Sequence, residues 1–182
     1  SDYFVNSSPG GFQVSSAFAM VNLDAVGRLD GRTLQIFGTE SAYEWPFMAQ
    51  GIGFTIGMSS QFAAQTVASS DHVSFLNAGI PAIHLFSGTH LDYHQPTDTA
   101  DKLDLAGMGD IALWVEEAIV YLADRGDPLR VNLGRASQLS VSSSTTAREA
   151  VLGTVPDFAY QGQGIRISGV SPGSAAELAG LQ

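Results

Sequence analysis

Cysteine is absent from the 182 residues, which excludes disulfides, thiolate nucleophiles and thiolate metal ligands, so any metal must be held by His, Asp or Glu. Positive charge is scarce. Eight Lys and Arg stand against eighteen Asp and Glu, giving 8 − 18 = −10, a balance that repels phosphate backbones and anionic membrane surfaces and excludes nucleic acid as a partner. Long apolar runs are also missing: Gly, Ser or charge interrupts every stretch well short of the roughly 20 residues that span a bilayer. No positively charged leader precedes an apolar segment, so no transmembrane segment is expected.

What is present suits a packed core, with 45% hydrophobic residues. The chain begins SDYFVNSSPGG without an initiator Met and stops at AELAGLQ directly after a helix-ending pattern; the expectation is a fragment of a longer protein.

AFAMVNLDAVGRL (17 to 29) reads as a buried strand with a polar tip, closed by Gly27. TLQIFGT, GIGFTIGMSS and PAIHLFSG have strand length and turn residues at their borders. Within SSDHVSFLNAG, Ser70 or Asp71 can cap a short helix that Gly79 ends. Apolar residues at helical spacing, among them Leu105, Met108, Ile111, Trp114, Ala118 and Leu122, predict a longer helix over about 104 to 124. Strands separated by helices imply an α/β fold with a largely parallel sheet flanked by helices. From Gly126 the character changes, and the Ser/Thr-rich SQLSVSSSTTA marks a linker over 126–147. Beyond it GIRISGV reads as a strand, and SPGSAAELAGL as a turn and short helix in which Ser174 and Glu177 form a capping box.

Four histidines are candidates for chemistry: His72, His84, His90 and His94. His84, inside PAIHLF, reads as a packed or hydrogen-bonded strand residue. His90 and His94 have the spacing of a helical metal pair, but Gly88 and Pro96 disfavour a helix there and no Glu follows His90, so loop ligation is the better reading. SSDH sets Ser, Asp and His side by side, where adjacent side chains point apart, and no Gly-x-Ser-x-Gly elbow occurs; serine hydrolase chemistry is disfavoured. Glu116 and Glu117 fall on the polar face of the long helix and read as solvated surface. Asp24 differs, because an anion at the tip of an apolar strand costs several kcal/mol to bury unless a cation or several donors face it. Carboxylate and imidazole together suit zinc, and loops leaving the strand ends of an open α/β sheet converge on one crevice.

VNLDAVGRL, SSDHVSFLNAGIPAIHLF and HLDYHQPTDTADKLD occur in an order and spacing that resemble the co-catalytic, dinuclear-zinc aminopeptidase family, whose relatives include glutamate carboxypeptidase and glutaminyl cyclase types. The resemblance covers roughly residues 1 to 125 and implies the C-terminal part of the catalytic domain, acting on peptide substrates. It implies that Asp24 binds one zinc and His94 the other, and that the Tyr93 hydroxyl donates to the oxyanion of the tetrahedral intermediate. Asp71 and Asp98 match positions that orient ligands or loops. Ala25 stands where relatives often carry Met. Two zinc ions about 3.5 to 4 Å apart then activate a shared water, and a glutamate moves its proton to the leaving amine. The family's earlier histidine, bridging aspartate and glutamate pair match nothing in this chain, so the resemblance implies weak zinc binding and little activity for the fragment by itself.

Residues 148–182, with LGTVPDFAYQGQGIRISGVSPGSAAELAGLQ, resemble the first part of a PDZ domain of the kind attached to bacterial peptidases, a truncated β-rich segment. That likeness implies that the turn holding Gly162, Gly164 and Ile165 offers backbone N–H groups to peptide C-termini and that IRISGV pairs with the peptide as an added strand. It also favours a secreted or periplasmic location. A different class of function stays open: a non-catalytic peptide-binding protein on a degenerate peptidase scaffold.

Overall fold

A computed structural model describes residues 2–63, 70–133, 152–160 and 162–181. Its sheet is organised around strand β4 (Ala82–Phe86), buried at all five positions, as a strand flanked on both sides must be. β4 pairs in parallel with β1 (Met20–Leu23) and antiparallel with β2 (Leu34–Phe37), and β2 pairs in parallel with β3 (Ser60–Ala63). The strand order is β1-β4-β2-β3. Two of three pairings are parallel, so the expected sheet is present with one antiparallel exception.

Alternation along the strands divides the core into two faces. Leu34, Ile36, Ile83 and Leu85 point to one side, where they meet Trp45, Met48, Ala49 and Ile52 of α2 (Trp45–Ile56) and Ile111, Trp114 and Ala118 of α4 (Leu105–Ala123). Both helices bury residues at spacings of three and four, the signature of one helical face. The N-terminus of α4 is capped by Asp104, whose side chain accepts from Gly107 N at 3.0 Å. On the opposite face of the sheet lie Phe37, Phe86 and His84, with His72 of α3 (His72–Asn77) stacked on His84 at 5.0 Å between ring centres. A short α1 (Asp2–Ser7) rests on α3 through Phe4 and Phe75 and a 2.5 Å hydrogen bond from Ser74 Oγ to Asp2.

Several elements differ from the sequence expectation. The strand within 17 to 29 is confined to Met20–Leu23. GIGFTIGMSS, expected as a strand, supplies the second half of α2 and the turn into β3. The helical spacing begun at Trp45, with Pro46 in the first turn, continues through Gly51 and Gly53, although each glycine costs about 1 kcal/mol in a helix. Gly53 is needed because the chain folds back over it: a Cβ there would lie 2.6 Å from Met58 O. Asp71 occupies the N-cap position of α3 without a side-chain cap bond, and Gly79 follows its end with φ 86. Residues 126–133, assigned to the linker, pack on the domain instead. Leu129 enters the core, Val131 bridges to Ala42, and Arg130 donates from N and Nε to Glu44 at 3.0 and 3.1 Å. These bonds hold the Glu44 carboxyl below its ordinary range despite burial that opposes its charge. The remainder of the expected linker, 134–147, lies outside the described residues.

A C-terminal unit contains the antiparallel pair β5 (Thr154–Pro156) and β6 (Ile167–Val170) and the one-turn helix α5 (Ala175–Leu178). Ser174 caps α5 through Glu177 N, whereas Glu177 reaches back to Gly173 N at 2.6 Å, one residue earlier than a regular capping box.

The core assignment predicts that Trp114→Ala, which empties a fully buried site, lowers unfolding free energy in urea by about 3–5 kcal/mol. Phe54→Ala on the outer face of α2, at 92% exposure, should change it by less than about 0.5 kcal/mol. A pH dependence follows from the histidine stack. Burial, and then the neighbouring His84, push His72 from 6.5 to about 4, so below pH 6.5 the unfolded chain takes up a proton that the folded chain refuses. Stability is therefore complete above that pH and falls by roughly 3 kcal/mol as pH drops through about 4. The urea midpoint followed across this range should fall accordingly, and with a shallower slope in His72→Phe.

Candidate active site

Asp24 stands one residue past the end of β1, and its N–H donates to Leu85 O of the neighbouring strand at 3.4 Å. The chain then turns sharply. Ala25 has φ 53, a left-handed conformation that costs a non-glycine residue roughly 1–2 kcal/mol, and it is held there by Ser87, whose N and Oγ both donate to Ala25 O at 3.2 and 2.6 Å. The Asp24 side chain is exposed but oriented: Ser70 Oγ donates to Oδ2 at 2.9 Å. Behind Ser70, Asn22 Nδ2 donates to Ser70 Oγ at 2.6 Å and to His84 Nδ1 at 3.0 Å. An acceptor Nδ1 puts the proton of neutral His84 on Nε2, and burial depresses the imidazole's pKa in keeping with neutrality. A relay of four side chains thus runs from the buried face of the sheet to a carboxylate at its edge.

The segment after β4 is a series of turns. Gly88, at φ 93, leaves room for Arg32, whose Nη1 would lie 3.1 Å from a Cβ there and donates to Thr89 O at 2.9 Å. Arg28 Nη1 donates to Asp98 at 3.0 Å and approaches Asp92 at 3.5 Å, while its Nε is 3.5 Å from Asp30. Although burial opposes its charge, these carboxylates raise the guanidinium's pKa further. Lys102 Nζ completes the fastening at 2.8 Å from Asp92. Its hydrogen bond, followed by one from Thr97, holds the Asp92 carboxyl down at about 2. The next residues are Tyr93, half-buried, and His94, exposed with φ 58. Tyr93 stacks on His94 at 4.1 Å and meets Phe86 edge-on at 6.0 Å.

Asp24 and Tyr93 share one neighbourhood. Ala25 and Tyr93 both pack on the Phe37–Phe86 cluster, and burial together with the charge of Asp24 raises the Tyr93 phenol above its ordinary value. His94 is carried by the same loop, against the Tyr93 ring. Asp98 serves Arg28 and lies 3.8 Å from His90 Nε2. Asp71 sits at the start of α3, where its charge acts on His72. Gly162, Gly164 and Ile165 fall in the exposed connection between β5 and β6, with Gly164 at φ 85. His84 is buried and hydrogen-bonded, and Glu116 and Glu117 are exposed, as their sequence contexts suggested.

Sequence reasoning missed Asn22, treated Ser70 only as a cap, and gave no role to Arg28 or Lys102. Asn22 carried a signal, since residues two apart on a strand share a face and Asn-Leu-Asp aligns Asn22 with Asp24. The donors fit zinc in kind: one carboxylate and one imidazole, the carboxylate steadied by a hydroxyl as metal-ligating carboxylates are. In number they do not complete a site, because among the described residues no group of three His, Asp or Glu is gathered as a catalytic zinc requires.

The model of peptidase family M28 matches residues 1–119. Three solved structures share the fold: LapA aminopeptidase of Legionella pneumophila, the aminopeptidase of Aneurinibacillus sp. strain AM-1, and BSAP, a zinc aminopeptidase of Bacillus subtilis. Their TM-scores are 0.53, 0.54 and 0.54 and their identities 23%, 21% and 23%. The matches cover 68%, 71% and 71% of this chain but 34%, 30% and 32% of those proteins, so the chain spans about a third of their length. Among curated proteins none matches. Because the family model accounts for 119 of the 182 residues, the chain belongs to peptidase family M28.

Proposed function

We propose that this chain is the portion of a zinc aminopeptidase that contributes one ligand to each of two metal ions, Asp24 and His94, and an oxyanion donor, Tyr93. The observation that carries this reading is the Asp24 carboxylate, oriented by Ser70 at the sheet edge beside the loop that bears Tyr93 and His94. Membership of M28 and the fold shared with aminopeptidases support it. The remaining ligands and the general base belong, on this reading, to a longer parent protein.

Zinc bound there would lower the pKa of a water and polarise the scissile carbonyl. Ser70 fixes the carboxylate of Asp24, so the ligand does not have to be ordered when metal arrives. The Tyr93 hydroxyl, kept protonated by burial and by Asp24, is available as a donor to a developing negative charge. The net charge of −10 favours approach of the cationic amino terminus of a peptide. Asp71 and Asp98 act as supports, Asp98 through Arg28 and the loop. On the C-terminal unit, the turn at Gly162, Gly164 and Ile165 would receive peptide C-termini, with β6 offering its unpaired edge; β6 pairs only with β5 among the described residues, which supports this reading.

In the full-length parent, Asp24→Asn and His94→Ala should each lower kcat/KM for an aminoacyl p-nitroanilide by orders of magnitude and reduce bound zinc measured by atomic absorption. Wild-type rates in both variants would remove the assignment and favour a non-catalytic peptide-binding role. Tyr93→Phe should lower kcat by roughly 10²–10³ with KM little changed and zinc content intact, the pattern of an interaction made in the transition state.

A further inference from the structure

Two independent sets of contacts converge on the loop after β4. The first, from Arg28, Arg32 and Lys102, belongs to the catalytic domain. The second comes from the C-terminal unit. Thr89 Oγ1 donates to Pro156 O at 2.8 Å and lies 3.3 Å from Ser168 Oγ, which itself donates to Val155 O at 3.1 Å. Leu91 rests on the bare backbone of β6: a Cβ at Gly169 would stand 2.9 Å from Leu91 Cδ2. Phe158, in the connection after β5, packs on Phe86 at 6.4 Å, in the same cluster as Ala25 and Tyr93. Thr89 and Leu91 precede Tyr93 by four and two residues.

We propose that the C-terminal unit is a positioning element of the active site: by gripping Thr89 and Leu91, and by closing the aromatic cluster with Phe158, it fixes the loop that presents Tyr93 and His94. The catalytic consequence rests on the function proposed above; the mechanical one does not. The grip is built from chemistry that orders a backbone. A hydroxyl bonded to a main-chain carbonyl sets the start of the loop, a leucine seated against a glycine sets its middle, and an aromatic contact sets the wall behind Tyr93. Gly169 takes ordinary strand geometry in register with Val155, so its lack of a side chain answers to Leu91 and not to a backbone need.

The test exploits that steric relation. In the full-length protein, Gly169→Val suits a strand but displaces Leu91, whereas Leu91→Ala combined with Gly169→Val returns the space. Hydrogen exchange of the amides of residues 89–95 should rise about tenfold in Gly169→Val and in Thr89→Val, and return toward the native rate in the double variant. Thr89→Val lies on the loop side, so it reads the grip even if Gly169→Val unfolds the C-terminal unit. With a p-nitroanilide substrate, kcat should fall about tenfold in the same two variants and recover in the double variant, with KM changed less. Native exchange at 89–95 in both single variants overturns the proposal whatever the activity. Raised exchange in a parent that hydrolyses no peptide leaves the grip standing and removes the peptidase reading alone, while raised exchange with unchanged kcat overturns the positioning role.

Discussion

The arrangement of this molecule depends on where its few cations are placed. A chain with eighteen acidic residues cannot fold an acidic loop back onto an acidic domain without counter-charges, and Arg28 is the one that bears the main load. Its guanidinium reaches Asp30, Asp92 and Asp98 at once, while Lys102 takes the other oxygen of Asp92. Its Nη1 alone lies between Asp92 and Asp98, at 3.5 and 3.0 Å, and Nε faces Asp30 at 3.5 Å. Each of the six basic side chains among the described residues has a carboxylate partner: Arg125 and Arg130 share Glu44, Arg166 holds Asp157, and Arg32 reaches Asp30. No described cation is left over for an anionic ligand, and the surface is left to attract positive charge.

A second constraint works at right angles to the first. The relay from His84 through Asn22 and Ser70 to Asp24 links an element of the core to an atom at the sheet edge. Neutrality is central to it, because the stacked imidazoles of His72 and His84 face one another at 5.0 Å in a buried environment and a proton on either would be poorly solvated. The same burial that holds the sheet together therefore keeps His84 neutral, and Asn22 donates both inward to His84 and outward to Ser70, which donates in turn to Asp24.

Much of this was legible in the chain and some was not. The helix over Leu105–Ala123 announced itself, since a cap at Asp104 and apolar spacing of three and four act within one segment. GIGFTI misled because its glycines and alternating apolar residues resemble a strand, and only the preceding Trp45 to Ala49 turn shows the helical phase. Leu129 and Arg130 were read as linker because a Gly-Asp-Pro break says nothing of what lies beyond it; Leu129 enters the core, and Arg130 is fastened from the surface to Glu44, 86 positions away in sequence. Asp24, Tyr93 and His94 were singled out by motif, and the structure packs Ala25, the neighbour of Asp24, and Tyr93 on one aromatic cluster, with His94 stacked on the Tyr93 ring. Their supports escaped notice for a plain reason. Hydrogen bonds spanning 46 to 70 residues, as between Ser70 and Asp24 or Arg28 and Asp98, leave no local trace.

His94 lies in the left-handed region of the backbone, at φ 58. Glycine aside, histidine is with asparagine and aspartate among the residues that enter that well most readily, so a ring is carried there at modest cost to the main chain. The turn bond from Gln95 N to Asp92 O at 2.8 Å spans the residue and, by holding its backbone, sets the bearing of the ring. The loop's shape is thus a joint product of its own turn bonds and of the cations that clamp it from outside.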